Sequence, residues 1–189
     1  TLERTVRDAA QAQGKHVALE TRGGGVRLDA HVLSTVSEAL VQIVRNSVVH
    51  GIESDSERAA AGKPRNGSIV VEVQRRGRRV AFVCRDDGRG IDVPAVQRAA
   101  AQRGLSPGDL GTMLFGGGIS TSQVVTELSG RGVGLDLVRE ARDRLGGELG
   151  VATERGSRTT IELVVPVSLT SLDALALEGR GLVALVPLD

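Results

Sequence analysis

The sequence predicts an α+β fold: a two-layer α/β sandwich with helices on one face of a mixed β-sheet. Three observations carry this. A long segment after Asp29 sets Leu33, Val36, Leu40, Ile43, Val44 and Val48 at spacings of three and four, the mark of an amphipathic helix. Two pairs of Val- and Ile-rich runs, 68–75 with 79–85 and 148–154 with 158–165, are joined by short turns and read as hairpins. The order of elements is mixed: long helix, hairpin, helix, loop, helix, hairpin.

Taken in order, residues 2–14 (LERTVRDAAQAQG) read as a helix ended by Gly14, and 16–22 (HVALETR) as a strand running into a turn at Gly23-Gly24-Gly25. Asp29 is the expected N-cap of the long helix, which spans 30–51 and stops at Gly51. A short helix over 54–61 is stopped by Gly62-Lys63-Pro64. The first hairpin turns at Arg76-Gly77-Arg78, and its strands are rich in Val and Ile, as buried strands are. The loop Asp86-Asp87-Gly88-Arg89-Gly90 leads into a helix over 93–103 with Pro94 in its first turn. Residues 104–134 hold nine glycines and read mostly as loop. A helix over 133–145 ends at Gly146-Gly147 before the second hairpin, and two strand-like stretches, around Gly179-Arg180-Gly181, close the chain.

Composition excludes several functions. The 189 residues carry 24 basic against 23 acidic groups, so no basic field draws nucleic acid. Two phenylalanines, Phe82 and Phe115, are the only aromatics, too few for a base-stacking platform. A single cysteine, Cys84, excludes a disulfide framework and a Cys-based zinc site, and the cytoplasm is the expected compartment. No apolar run is long enough to span a membrane. The chain starts at Thr1 rather than Met and is expected to be a piece of a longer protein. Only Lys15 and Lys63 are lysine; every other basic residue is arginine.

Three constellations can carry chemistry. On the long helix, Glu38, Gln42, Asn46 and His50 are each four apart and share a face, which is either a solvent face or a ligand face. Arg45 and Asn46 sit deep in an apolar run, where polar side chains need partners. An amide oxygen such as that of Asn46 suits one position on a Mg²⁺ shell. At the end of a strand, the Asp86 carboxylate can accept from an adenine amino group, with Gly88 and Gly90 letting backbone approach a base and ribose; a plain turn is the alternative. Third, Ser129-Gly130-Arg131-Gly132-Val133-Gly134-Leu135-Asp136 opens a helix, and its alternating glycines offer amides to phosphate oxygens. Its G-x-G-x-G spacing is neither the dinucleotide fingerprint nor a Walker P-loop. From Gly88 to Gly134 there are 11 glycines in 47 residues, so the glycine excess falls on these loops.

The order of these motifs resembles the GHKL superfamily with its Bergerat fold: gyrase-type ATPases, the heat-shock chaperone ATPase, MutL and histidine kinases. Within it, R-N-S-x-x-H-G-I-E (Arg45 to Glu53), G-K-P (62–64), D-D-G-R-G-I-D (Asp86 to Asp92), F-x-x-G-x-S-T (Phe115 to Thr121) and S-G-R-G-V-G-L-D (Ser129 to Asp136) are similar to the CheA-type chemotaxis histidine kinases. The resemblance covers residues 4–189. It implies ATP and Mg²⁺ as ligands, with the γ-phosphoryl passed to a histidine elsewhere. It implies that Asn46 binds Mg²⁺, that His50 lies near ribose and phosphates, and that Arg45 is catalytic. Asp86 would read the adenine amino group with Thr160 supporting it through water, and Gly88 and Gly90 would shape the base pocket. Ser120 and Thr121 would lie in the lid, and Gly130, Arg131, Gly132 and Gly134 at the phosphates. By the same resemblance, 1–14 ends a dimerisation region, 15–166 is the ATP-binding kinase domain, and 167–189 starts a CheW-like regulatory domain. The implied partners are a histidine phosphotransfer domain in cis or trans, a CheW-type coupling protein, a receptor and a response regulator; nucleic acid and membrane insertion are not expected.

The chain departs from the family at four places. Gln42 stands where CheA proteins have His and many histidine kinases have Glu; Val49 replaces Asp before His50; Ala95 and Ala99 replace lysines, leaving Arg98; and Ile119 replaces a lid aromatic. An amide at 42 can hydrogen-bond the attacking imidazole but cannot take its proton. Two readings therefore stand: a histidine kinase catalytic domain, or a CheA-like scaffold that binds ATP and transfers weakly. His16 is expected to be structural and His31 a surface residue, so the phosphoacceptor lies outside this chain.

Overall fold

The computed structural model describes residues 1–102, 110–115, 133–167, 174–179 and 182–187. Helix α1 (Leu2–Ala12) precedes strand β1 (Val17–Arg22). Helix α2 (Ala30–Asn46) runs into a π-helical turn, Ser47–Gly51, and a short α3 follows (Asp55–Ala60). Strands β2 (Gly67–Arg76) and β3 (Arg79–Asp86) form the first hairpin, and helices α4 (Val93–Gln102), α5 (Leu110–Phe115) and α6 (Val133–Leu145) come next. The second hairpin is β4 (Glu148–Glu154) with β5 (Arg158–Pro166), and β6 (Ala174–Gly179) with β7 (Leu182–Pro187) ends the described chain. Helix α5 lies in the stretch expected to be mostly loop; its Met113, Leu114 and Phe115 are buried, so packing rather than glycine content decides there.

The main sheet has the order β1-β2-β3-β5-β4. Strand β1 pairs with β2 in parallel; the other pairings are antiparallel, giving the mixed sheet expected. Strands β6 and β7 pair with each other in a separate two-stranded sheet. Asp29 caps α2 as expected, accepting from the His31 amide at 2.8 Å. Ser54 and Glu57 form a full capping box on α3, and the Asp92 carboxylate accepts from the Ala95 amide at 2.9 Å in the first turn of α4.

The core lies between the helices and one face of the sheet. Val6 and Ala10 of α1, Val36, Ile43 and Val44 of α2, Val96 of α4 and Val138 and Leu145 of α6 are buried with Ile69, Phe82, Cys84, Ile161, Leu163 and Val165. Strand β5 alternates strictly, Thr159, Ile161, Leu163 and Val165 being buried and the residues between them half-buried. The strands are thus not buried on both faces as their Val and Ile content suggested; only central β3 approaches that, with Ala81 and Val83 also covered. The outer face carries Glu72, Arg85, Thr160 and Glu162 around a shallow concavity, and Arg76 pairs with Glu162 across it at 2.8 Å. Leu33, expected on the buried face of α2, is 50% exposed, because Val32, one residue before it, and Thr35, two after it, take the core positions. Among the described residues no helix is long and apolar enough to cross a membrane.

Candidate functional site

Asp86 is the last residue of β3 and is only 4% exposed. Strand alternation explains this: Val80, Phe82 and Cys84 point into the core, so Asp86 does too, with a carboxylate instead of a methyl group. A buried carboxylate needs donors. Ser47 Oγ donates to Oδ2 at 2.9 Å, and the Gly88 amide donates to Oδ1 at 3.1 Å. Burial pushes the Asp86 carboxyl up to about 6; Asp87 beside it adds to the rise, while Ser47, Gly88 and the Thr159 amide oppose it.

Ser47 reaches Asp86 from the buried face of α2, its amide still bonded to the Ile43 carbonyl four residues back. After Asn46 the α2 ladder widens into the π turn, closed by the Ile52 amide on the Ser47 carbonyl at 2.7 Å. Ser47 and Val48 turn inward and are buried, while His50 stays at the surface. The four-residue stripe is therefore interrupted: Glu38 is exposed, Gln42 and Asn46 are half-buried, and His50 belongs to the turn rather than the α-helix. Arg45 is exposed, not sunk in an apolar environment, since the apolar run is helical and position 45 falls on its outer side. Partial desolvation of the ring, then the Lys15 and Arg89 cations, hold the His50 imidazole below its ordinary pKa.

The glycines after Asp86 serve contacts within the chain. A Cβ on Gly88 would come 2.2 Å from the Gly51 carbonyl oxygen, and the Arg89 amide donates to that same oxygen at 2.9 Å. Gly90 has φ +69° and its Cβ would meet the Glu154 carbonyl oxygen at 2.4 Å. Within the chain, Gly88 lets the loop pass over the end of the π turn, and Gly90 lets it pass the β4–β5 turn.

Thr160 does not support Asp86. The β3–β5 register pairs Asp86 with Thr159 and Arg85 with Thr160, and side chains alternate along a strand. Thr159 is buried on the Asp86 face, whereas Thr160 lines the outer concavity with Arg85 and Glu162. Two adjacent threonines give no sequence signal for which one faces inward; the register does.

Sequence reading missed a group behind the loop. Arg58 is fully buried, with Nη1 3.0 Å from Glu53 Oε2 and Nη2 2.8 Å from Asp87 Oδ2. Lys63 Nζ lies 2.6 Å from Glu53 Oε1. Burial pushes the Glu53 carboxyl up, but Lys63 and Arg58 outweigh it and hold it below its ordinary value. Glu53, Lys63 and Asp87 stand inside the quoted motifs, and the signal available was their alternation of sign around one short helix.

Ser120, Thr121, Gly130, Arg131 and Gly132 lie outside the described residues; Gly134 lies in the first turn of α6. Asn46 and Asp86 are brought to the same end of the domain through Ser47, next in sequence to Asn46. Among the described residues no group of three or more His, Cys, Asp or Glu can hold a metal ion. An Mg²⁺ held here would take one amide oxygen from Asn46 and its other oxygens from phosphates and water. That fits the way Mg²⁺ is usually bound at phosphates, with few protein ligands.

Comparison with known proteins agrees with this geometry. Residues 35–169 match the family model described as histidine kinase-, DNA gyrase B- and HSP90-like ATPase. The chemotaxis protein CheA of Cereibacter sphaeroides is 35% identical over 100% of this chain and 28% of its own length. A gliding motility regulatory protein of Myxococcus xanthus is 39% identical over 91% of this chain and 23% of its own. The catalytic domain of the histidine kinase ThkA, in a nucleotide-free form, has the same fold with a TM-score of 0.53 and 16% identity, over 88% of this chain and 93% of that one. The chain thus spans less than a third of the length of these curated relatives.

Proposed function

Since the chain belongs to the family of histidine kinase-, DNA gyrase B- and HSP90-like ATPases, we propose that it is the catalytic domain of a CheA-like histidine kinase. It binds ATP with Mg²⁺ and passes the γ-phosphoryl to a histidine on another domain or protein. The observation that carries this reading is the buried Asp86 carboxylate at the end of β3, held by Ser47 and Gly88 beside the π turn. A carboxylate with its donors already set is suited to accept from an exocyclic adenine amine.

In the transfer, an imidazole nitrogen of the acceptor bonds to the γ-phosphorus, the bond to the bridging oxygen breaks, ADP leaves with that electron pair, and the imidazole sheds its proton. Bound Mg²⁺ would supply charge neutralisation at the phosphates. Asn46 would offer it one oxygen, His50 would serve the ribose side, and the exposed Arg45 is available to the incoming acceptor. Ser120, Thr121, Gly130, Arg131, Gly132 and Gly134 belong to the lid and phosphate end on this reading. Residues 1–14 end a dimerisation region, 15–166 form the kinase domain and 167–189 start a CheW-like regulatory domain. The partners are a histidine phosphotransfer domain, a CheW-type coupling protein with its receptor, and a response regulator, in the cytoplasm.

A second reading, an ATP-binding scaffold with weak transfer, is favoured by one feature: Gln42, one helical turn before Asn46, has no group able to take a proton. Radiolabelled ATP supplied with the cognate acceptor domain separates the two. Label on the acceptor that vanishes in Asp86→Ala supports the kinase; calorimetric binding without label supports the scaffold; a folded chain that binds no ATP analogue with Mg²⁺ overturns both.

A further inference from the structure

The chain has twenty-two arginines and two lysines, and both lysines cap backbone carbonyls beside Asp86. Lys15 Nζ donates to the carbonyls of Val48 and Val49, in the π turn, at 2.9 and 2.8 Å. Lys63 Nζ donates to the carbonyls of Asp87 and Gly88, in the loop, at 2.9 and 2.8 Å, and to Glu53 Oε1 at 2.6 Å. The Lys63 ammonium therefore has three donors and three converging oxygens. A compact tetrahedral ammonium fits such a set; a planar guanidinium, with its donors spread in a fork, does not. Where this chain uses Arg58 instead, the acceptors lie around a plane: Glu53 Oε2, both Asp87 carboxylate oxygens, and the carbonyls of Pro64 and Asn66.

The Asp87 carbonyl and the Gly88 amide belong to one peptide plane. A trans peptide directs its C=O and N–H to opposite sides. Lys63 holds the oxygen end at 2.9 Å, with Arg58 Nη1 donating to it more distantly at 3.4 Å, and the hydrogen end points at Asp86 Oδ1 at 3.1 Å. Gly88 cannot drift toward the π turn, where the Gly51 carbonyl already fills the space of a Cβ. Nor is Lys63 free to move: Glu53 is fixed by Arg58, which is itself buried and tied to Asp87. Ser47, the Thr159 amide and the Gly88 amide thus orient the Asp86 carboxylate, and the last of these is held, through a single peptide plane, by Lys63.

We propose that Lys63 is a positioning residue for base recognition: by holding the peptide between Asp87 and Gly88 it aims the Asp86 carboxylate and sets the preference for a 6-amino purine over a 6-oxo purine. This rests on the reading of Asp86 as the group that accepts from the adenine amine. Misaiming a carboxylate weakens only the contacts that need its direction, so affinity for ATP falls while affinity for ITP, which offers no amine, changes little.

The test is the dissociation constants of ATP and ITP by calorimetry, with Mg²⁺, for the wild-type full chain, Lys63→Arg, Lys63→Met and Asp86→Ala. Wild type prefers ATP. Both Lys63 variants lower that preference by about tenfold, the scale of one charge-assisted hydrogen bond, mainly through the ATP constant. A folded Lys63 variant that keeps the wild-type ratio, or loses both affinities equally, overturns the proposal. Lys63→Arg, which keeps a positive charge beside Glu53, carries the test if Lys63→Met does not fold. Failure of the underlying reading looks different: wild type shows no preference, or Asp86→Ala retains it, and the proposal falls with it.

Discussion

Ser47 and Asp86, 39 residues apart in sequence, are joined by a 2.9 Å hydrogen bond that crosses from the helical layer to the sheet. Ser47 lies one turn beyond buried Ile43 and Val44 and keeps α-helical geometry, its amide bonded to the Ile43 carbonyl, so the buried face of α2 itself carries the hydroxyl inward before the π turn begins. Both partners are buried, so the carboxylate has no water to replace the hydroxyl.

Ser47→Ala therefore costs about 1.5–3 kcal/mol of stability at pH 7, the usual range for a hydrogen bond to a charged group. The loss shrinks at pH 5, where the Asp86 carboxyl carries its proton and needs the donor less. Urea unfolding at the two pH values checks this, and an equal loss at both shows that the charge is not what Ser47 serves.

How much of this arrangement is visible in the sequence depends on period. The α2 apolar spacing, both hairpins and the Asp29 cap were legible because each is a local pattern with one solution. The π turn was not, since Ser47-Val48-Val49 is compatible with continued helix. Thr159 and Thr160 differ by one position and hence by a whole face of the sheet. Arg58 reads as one more surface arginine on a short helix. Its burial follows from three separate stretches, near Glu53, Pro64 and Asp87, meeting around it.

Asp86→Asn should trade function for stability. The folded-state carboxyl titrates near 6 against an ordinary 3.8, so between those values the folded state binds more protons than the unfolded. Wild-type stability falls as pH rises through that window and does not recover above it. The penalty is about 2–3 kcal/mol, at roughly 1.4 kcal/mol per pKa unit. Asparagine does not titrate, so its stability relative to wild type improves by that amount from pH 4 to pH 7, while ATP binding is lost. Parallel stability curves for the two proteins count against the raised carboxyl.

Gly88→Ala and Gly150→Ala form a matched pair. A Cβ at 88 lands 2.2 Å from the Gly51 carbonyl oxygen, and backbone meets backbone, so the loop or the π turn must shift. At Gly150, on strand β4, a Cβ meets nothing within 4 Å. The first change is expected to cost more than about 2 kcal/mol and to weaken ATP binding, the second to be neutral or to stabilise by a few tenths. Thermal melts of the two variants side by side decide it; similar shifts contradict the close approach at Gly88.

Arg58→Met leaves the buried Glu53 carboxylate with Lys63 alone and removes the cation from Asp87, whose own side chain is 39% exposed. Breaking one member of a buried ionic group costs about 3–5 kcal/mol, because the remaining charges stay desolvated. Exposed pairs such as Arg4 with Asp8 are worth far less, and Arg4→Met is expected to change stability by under about 0.5 kcal/mol. Denaturant midpoints for the two variants measure the contrast.

Gln42→His addresses the transfer step and leaves the base end alone. Gln42 is half-buried on α2, one turn before Asn46, and its amide can orient an acceptor imidazole without removing a proton. A general base at such a position contributes about 10²–10⁴-fold. Part of that gain is expected as a higher rate of label transfer to the acceptor domain, with ATP affinity unchanged, since Asp86, Ser47 and Lys63 are untouched. The rate should also acquire a rise with pH through the histidine's titration, which an amide does not confer. An unchanged rate and a flat profile mean that position 42 only orients, and that the proton leaves to water.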